Sequence, residues 1–548
     1  MKLRTTTLLL LSILFSLSQA FSQTHQEQYD AILAEQFPAD GPGGSAIVVK
    51  DGKVEYLKAF GKANLELDVT MKPQHIFRIG SITKQFTACA ILRLVEAGKL
   101  SVDDPITKFI PDYPTHGKTI TVEHLLTHTS GIQSYTGMEK WDGEVRKQDF
   151  TPTEMIDYFK EEPMEFDPGE NYHYNNSGYF LLGYIIEKVS GKTYAEHIES
   201  TFFGPLGMKH SSYGNFNKIV PNRAAGYQQD NNGAYQNADF LSMTQPYAAG
   251  SLLSNVEDLS IWYHAVMSGK VISKESLKKA HTSYKLNNGE ETNYGYGWSI
   301  STIQKSPRIQ HGGGINGFLT ASMFLPEEKV FVAVFSNCNC VDPGSMANKI
   351  AAIAIDKPYP SKAIQVSAEA LAEYQAVYES EEGAQRVITE ENGQLFSVRD
   401  GGQRFEVYPY EKDKFFFEGG VTTLEFKRSK KGKIESVTSI SDRETVSWKR
   451  TKKDIPVETF VKVDEALLAR YVGNYQLGPG FIIAITLEDG SLFAQATGQQ
   501  KIELKALSDD TFKIVVVNAR IVFNLDGQEK AASLTLFQNG ENKAMRVD

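Results

Sequence analysis

Along the chain, the spacing of apolar positions changes character twice. From about Pro38 to Lys357 two periods alternate. Ala46 to Val49 and Val54 to Leu57 are β-rich runs joined through Asp51-Gly52, a pair that accepts the positive φ of a tight hairpin turn. A second apolar hairpin comes late, Leu319 to Leu325 and Val330 to Phe335, turning through Pro326-Glu327-Glu328-Lys329. Between them Thr83 to Ala97, Gly178 to Val189 and Val256 to Met267 carry helical spacing, each ended by a nearby glycine. These runs predict an α/β (α+β) domain over residues 25–358: an antiparallel sheet made from both ends of the segment, flanked by helices, with a helical subdomain inserted.

Beyond Pro358-Tyr359-Pro360 the pattern shortens to strands and turns, and it repeats. Leu371-Ala372-Glu373-Tyr374 with Tyr378 returns as Leu468-Ala469-Arg470-Tyr471 with Tyr475, and Asn392-Gly393 returns as Asp489-Gly490. Phe415 and Phe426 return as Phe512 and Phe523, always 97 residues on, a constancy that chance rarely gives over so many positions. Two tandem all-β modules are predicted, at 362–453 and 460–548, as lipocalin-like closed barrels or half-barrels, because closure hides strand edges.

Composition narrows the function classes. The chain has 548 residues, 41% of them hydrophobic, with 57 Lys and Arg against 67 Asp and Glu and no basic stripe, so nucleic acid is excluded as a partner. Residues 1–20 read as a cleavable signal peptide: Lys2 and Arg4 precede an apolar stretch from Leu8 to Leu17, and Ser18-Gln19-Ala20 is a small-x-small cleavage site. The stretch is too short for a membrane helix, so a periplasmic or secreted protein with no stable span after cleavage is expected. Three cysteines, Cys89, Cys338 and Cys340, are too few for a disulfide scaffold. Cys338 and Cys340 would share one face of a strand, and all three are expected to be buried, inert thiols.

Three motifs could carry chemistry. Ser81-Ile82-Thr83-Lys84 opens a helix, which puts the lysine one turn beyond the serine on the same face, its amine in reach of the hydroxyl. A serine needs such a neighbour to become nucleophilic, and a helix N-terminus offers free N–H groups to an oxyanion. Ser276-Leu277-Lys278-Lys279 fits the same pattern but sits in a lysine-rich surface stretch. Tyr174-Asn175-Asn176 supplies a phenol whose proton a lysine ammonium would loosen, and an amide to orient the lysine and a carbonyl; Tyr235-Gln236-Asn237 is its decoy. In His311-Gly312-Gly313-Gly314 the glycines let the backbone approach a ligand and offer a second oxyanion donor. An α/β-hydrolase, which also uses His-Gly-Gly-Gly, is excluded because the chain has no G-x-S-x-G. His124 and His128 lie four apart, as zinc ligands on a helix can, but no glutamate follows His124.

In this order the motifs resemble the serine β-lactamase-related family: class C β-lactamases, D-alanyl-D-alanine carboxypeptidases, esterases and D-aminopeptidases, with Ser-x-x-Lys, Tyr-x-Asn and Lys/His-x-Gly. Phe77-Arg78-Ile79-Gly80, Leu125 to Ile132, Pro205 to Met208 and Tyr294-Gly295-Tyr296-Gly297-Trp298 are further family-like stretches, together covering about residues 40 to 340. The resemblance implies a serine hydrolase without metal or cofactor, in which Ser81 is acylated and Lys84 and Tyr174 move its proton. Asn176 and His311 would contact the substrate, and Gly313 and Gly314 would form the glycine strand whose N–H groups, with that of Ser81, hold the oxyanion. It also implies a small-molecule or peptide substrate, peptidoglycan-derived or a β-lactam; a slowly recovering penicillin-binding sensor is the alternative. One departure concerns the third motif, where the β-lactamases and carboxypeptidases commonly carry lysine and threonine. His311 and Gly312 replace a permanent cation by a group ordinarily titrating near pH 6.5, which points away from penicillins and toward the D-aminopeptidases, a group that also carries two C-terminal barrels.

Overall fold

A computed structural model of the chain describes residues 25–548 apart from 231–232, 401, 442–443, 457–459, 479–480, 515–518, 526, 528 and 539–540. The expected signal peptide lies outside the described residues. The chain divides into two compact units, the first running to Tyr359 apart from Asn231–Ala234, and the second holding those four residues with Pro360–Asp548.

The first unit is built on a six-stranded antiparallel sheet. Its strands are β1 (Gly44–Lys50), β2 (Lys53–Phe60), β3 (Ser299–Ile303), β4 (Ser306–Ile315), β5 (Phe318–Leu325) and β6 (Val330–Ser336), in the order β3-β4-β5-β6-β1-β2. The two predicted hairpins are therefore joined edge to edge, Ile47 of β1 standing opposite Ala333 of β6. Both faces of β1, β5 and β6 are covered, which is why these three read as largely continuous apolar runs. Ala46 and Val48 with Val330, Val332 and Val334 face one core, which the helical residues 25–36 and α4 (Pro343–Ala354) close. Ile47 with Phe331, Ala333 and Phe335 faces the other, where α1 (Thr83–Glu96), α2 (Asn176–Ser190) and α3 (Val256–Met267) pack. Phe86 of α1 stacks on Trp262 of α3 with ring centroids 3.9 Å apart. Among the described residues no helix is long and apolar enough to cross a membrane.

The second unit holds two closed eight-stranded barrels, residues 376–450 and 473–546, each an antiparallel meander. The repeat is physical as well as textual. In the first barrel the Tyr378 hydroxyl donates to the Tyr374 carbonyl at 2.8 Å, and in the second Tyr475 donates to Tyr471 at 2.8 Å. Phe415 and Phe426 pack on Tyr374 as Phe512 and Phe523 pack on Tyr471.

One expectation is corrected. Cys338 and Cys340 form a disulfide with Cα atoms 5.2 Å apart. Strand β6 ends at Ser336, so both cysteines lie in the turn beyond it, where two residues of separation can be folded back; only Cys89 is a free buried thiol.

Candidate active site

The nucleophile candidate sits where a strand, a tight turn and a helix meet. Phe77-Arg78 pairs with Leu253 and Ser254, Gly80 takes φ +49°, and a short 3-10 turn through Ser81 leads into α1. A side chain at Gly80 would place its Cβ 2.9 Å from the Gly314 nitrogen and 3.1 Å from the Gly313 carbonyl carbon. Only glycine lets the nucleophile turn lie against β4 this closely. The Gly314 backbone thus lies against the turn that carries the Ser81 hydroxyl. Strand β3 pairs only with Ser306 to Gln310, so His311 to Ile315 present a β4 edge that β3 does not cover.

Lys84 is fully buried, with Nζ 3.1 Å from Ser81 Oγ, 2.8 Å from Asn176 Oδ1 and 3.0 Å from the Ala249 carbonyl oxygen. No carboxylate joins these partners, and burial pushes the amine well below the usual lysine range. A neutral amine has two hydrogens and one lone pair. The hydrogens go to the two oxygens that can only accept, Asn176 Oδ1 and the Ala249 carbonyl, which leaves the lone pair for the Ser81 O–H. Asn176 is itself held, its Nδ2 donating to Thr136 Oγ1 at 3.1 Å and its backbone N–H to Ser134 Oγ at 3.1 Å. Asn175 caps α2 through a 2.7 Å bond from the Gly178 N–H, so the helix start fixes its neighbour Asn176.

Tyr174 lies over the same lysine, its ring centroid 4.7 Å from Nζ. Its hydroxyl is buried with no hydrogen-bond partner among the described residues. Burial pushes this phenol far up, while the nearby Ser81 hydroxyl pulls weakly the other way. The expected loosening by a lysine ammonium does not occur, because the desolvation that neutralises Lys84 also disfavours a phenolate. His128 supports this wall, its ring 4.3 Å from that of Tyr174 and its Nδ1 accepting the Asn175 N–H at 3.0 Å.

Known proteins can be set beside this geometry. The family model described as Beta-lactamase matches residues 32–355, more than half of the chain. The chain belongs to the β-lactamase family. It is 29% identical over 409 residues to penicillin-binding protein 4* of Bacillus subtilis (strain 168), covering 70% of this chain and 89% of that protein. The octameric penicillin-binding protein homologue from Pyrococcus abyssi superposes with a TM-score of 0.56 at 30% identity, over 77% of this chain and 99% of that one. D-amino acid amidase from Ochrobactrum anthropi SV3 superposes with a TM-score of 0.53 at 25% identity, over 62% and 98%. A second model, Domain of unknown function (DUF3471), matches residues 459–546.

As a β-lactamase-family serine hydrolase the protein departs from expectation at its third motif. His311 is buried, and that burial pushes its pKa down to about 3. It does not titrate near pH 6.5. Its Nδ1 lies 2.6 Å from the Gly312 carbonyl, which can only accept, so Nδ1 carries the hydrogen and Nε2 accepts from the Tyr294 hydroxyl at 2.9 Å. The sequence brought forward the stretch containing Tyr294 without giving it a role; the partner of a buried histidine is a signal only the fold supplies.

The decoys separate cleanly. Ser276 lies in a short helix, Lys274–Ala280, bonded to Ser273, and Tyr235–Asn237 is an exposed strand whose Asn237 bonds Glu66. His124 closes a capping box with Thr121 while His128 holds Asn175, so the two imidazoles have separate structural partners. Among the described residues no group of three or more His, Cys, Asp or Glu could hold a metal ion.

Proposed function

We propose that the protein is an exported hydrolase that works through an acyl-enzyme at Ser81 on an amide, peptide or ester. The neutral Lys84 amine takes the Ser81 proton as Oγ attacks the carbonyl carbon, and the developing oxyanion is held by the N–H groups of Ser81 and Gly314. Tyr174 stays protonated and gives its proton to the leaving nitrogen or oxygen as that bond breaks; the Lys84 ammonium returns a proton to Tyr174. Deacylation runs the same transfers with water in place of the serine hydroxyl. General-base help is worth about 10² to 10⁴ in rate and one oxyanion donor about 10² to 10³.

The observation that carries the reading is the buried amine 3.1 Å from the serine oxygen with no carboxylate beside it. The uncharged third motif favours acyl donors without a carboxylate on the leaving-group side, as D-amino-acid amides and simple esters are. The similarity to a D-amino acid amidase supports that choice. Ser81→Ala must abolish both turnover and labelling by an aryl phosphonate, and Tyr174→Phe must slow turnover by about 10² or more. Substantial turnover in the serine variant removes the mechanism. A fluorescent penicillin that labels Ser81 and stays bound for hours would instead favour the sensor reading.

A further inference from the structure

The two ends of the β4 edge differ in charge. At the His311 end stand a neutral imidazole, Tyr294 and Tyr174. At the other end the strand passes Gly314 and turns through Asn316-Gly317 to Phe318, and a cavity of about 180 Å³ opens there. Arg78, Arg223, Asp239, Phe240, Asn316 and Phe318 line it. Asn316 lies two residues past Gly314, in the turn that follows β4, and Arg78 lies three residues before Ser81.

Arg78 is half-buried, its guanidinium 5.4 Å from the Phe216 ring centroid and 5.8 Å from that of Phe318. Stacking between two rings fixes the plane of the group but supplies no countercharge. Ile76 forms a bridge with Arg223, which brings the second guanidinium beside the first. Neither arginine forms an ion pair among the described residues. Burial, and after it the charge of Arg223, hold Arg78 down to about 10, so the pair exists at a cost that an anion would relieve. Asp239 lines the same cavity but forms no ion pair with either arginine among the described residues; its backbone carbonyl accepts from Asn316 Nδ2 at 2.9 Å. Phe216 and Phe240, both exposed, pack together at 4.5 Å on the rim.

We infer that this cavity binds a carboxylate carried on the acyl part of the substrate, with Arg78 and Arg223 as its partners and the Phe216–Phe240 pair covering the apolar link to the reacting carbonyl. The inference rests on the acyl-enzyme reading, since the group bound belongs to the donor attacked at Ser81. It gives that reading a substrate class, acyl donors ending in an anion.

Two aryl phosphonates, identical except that one ends in a free carboxylate and the other in its methyl ester, test it on the full-length protein. The rate of Ser81 labelling is read by intact mass. The carboxylate probe should react faster by about tenfold or more, the worth of a hydrogen bond to a charged group. Arg223→Gln, at an exposed position where folding is not at stake, should remove most of that advantage, and Arg223→Lys should restore it to within about threefold. Loss of the advantage in Arg223→Gln or in Arg78→Gln supports the site. Equal rates for the two probes, or an advantage that survives both substitutions, overturn it and leave the acyl-enzyme reading standing. Failure of both probes to label Ser81 sinks that reading and this one with it.

Discussion

Asn176→Asp is the substitution that most directly interrogates a neutral Lys84. The change is isosteric and puts a carboxylate oxygen where Oδ1 now lies, 2.8 Å from Nζ. At an effective dielectric constant near 20, two unit charges at that distance attract by about 6 kcal/mol. The cost of burying the new carboxylate offsets much of this, and an opposite charge at such range ordinarily moves a pKa by about 1 to 3 units. The sign is upward for the lysine, so below the new value the unprotonated base becomes scarcer by tenfold per unit. Below the new value acylation should fall, by up to tenfold per unit of the shift, and it should recover with rising pH at a slope of one until the new pKa is passed. Stability moves the other way. In the wild type the unfolded chain holds one more proton than the folded one between the depressed and the ordinary lysine values, so stability rises with pH across that window. The aspartate narrows the window and should make the protein less acid-sensitive while making it slower. Phosphonate labelling rates from pH 6 to 10, paired with urea midpoints, read both. A variant whose pH-rate profile is not displaced upward from that of the wild type, or whose loss does not recover as pH rises, would show that Lys84 does not act as a neutral base.

Three further outcomes are expected. His311→Gln should remove an acid sensitivity: the folded value is about 3 against an ordinary 6.5, so stability is lost as pH falls from 6.5, reaching about 2 kcal/mol at pH 5. Urea titrations at pH 5 and 7.5 should show the loss shrink by about that amount in the variant, the buried His128 and His281 keeping the remainder. Gly80→Ala forces a Cβ to 2.9 Å from the Gly314 nitrogen at φ +49°, which should cost about 1–2 kcal/mol of strain and, by spreading the oxyanion donors, about 10²-fold in acylation. Tyr378→Phe and Tyr475→Phe each delete one buried bond to a carbonyl and should cost about 1 kcal/mol apiece, separately and additively, in thermal unfolding of the second unit.

Much of this fold could be read before the structure because period and punctuation agree. The central sheet was legible from Ala46 to Leu57 and Leu319 to Phe335, most plainly where β1, β5 and β6 are buried on both faces and stay largely apolar. The repeat of Tyr374, Phe415 and Phe426 97 residues on announced two modules, and the same three rings form the heart of each barrel. Strand count and closure were less legible. Alternating segments of six to eight residues, such as Gln385–Glu391, state that one face is buried but not which distant strand completes the ring. The cysteine pair is hidden for a related reason: the apolar pattern continues toward Cys338, whereas β6 stops at Ser336, and a turn changes which sulfurs can meet.

The candidate site shows where reading by residue type stops. The spacing of Ser81 and Lys84 is a local fact of the helix, and it brought the two atoms together as one turn of α1 requires. Protonation is not local. The lysine was read as a cation, the tyrosine as a phenol loosened by it, and His311 as a group titrating near neutrality, each from its value in water. All three are buried around one another, Lys84 4.7 Å from the Tyr174 ring and Tyr174 6.0 Å from that of His311. Taking one charged group out of water in such company costs more than its neighbours return, so the cheaper solution is to lose the charge. That single cause gives a base without an acid, a proton donor that keeps its proton, and a third motif with no charge to offer a substrate. Arg78, three residues before Ser81, and Arg223 form no ion pair among the described residues and line a cavity beyond Gly314. A site emptied of charge at its centre can still select an anionic substrate, provided the anion is held beyond the last oxyanion donor, where water and charge return.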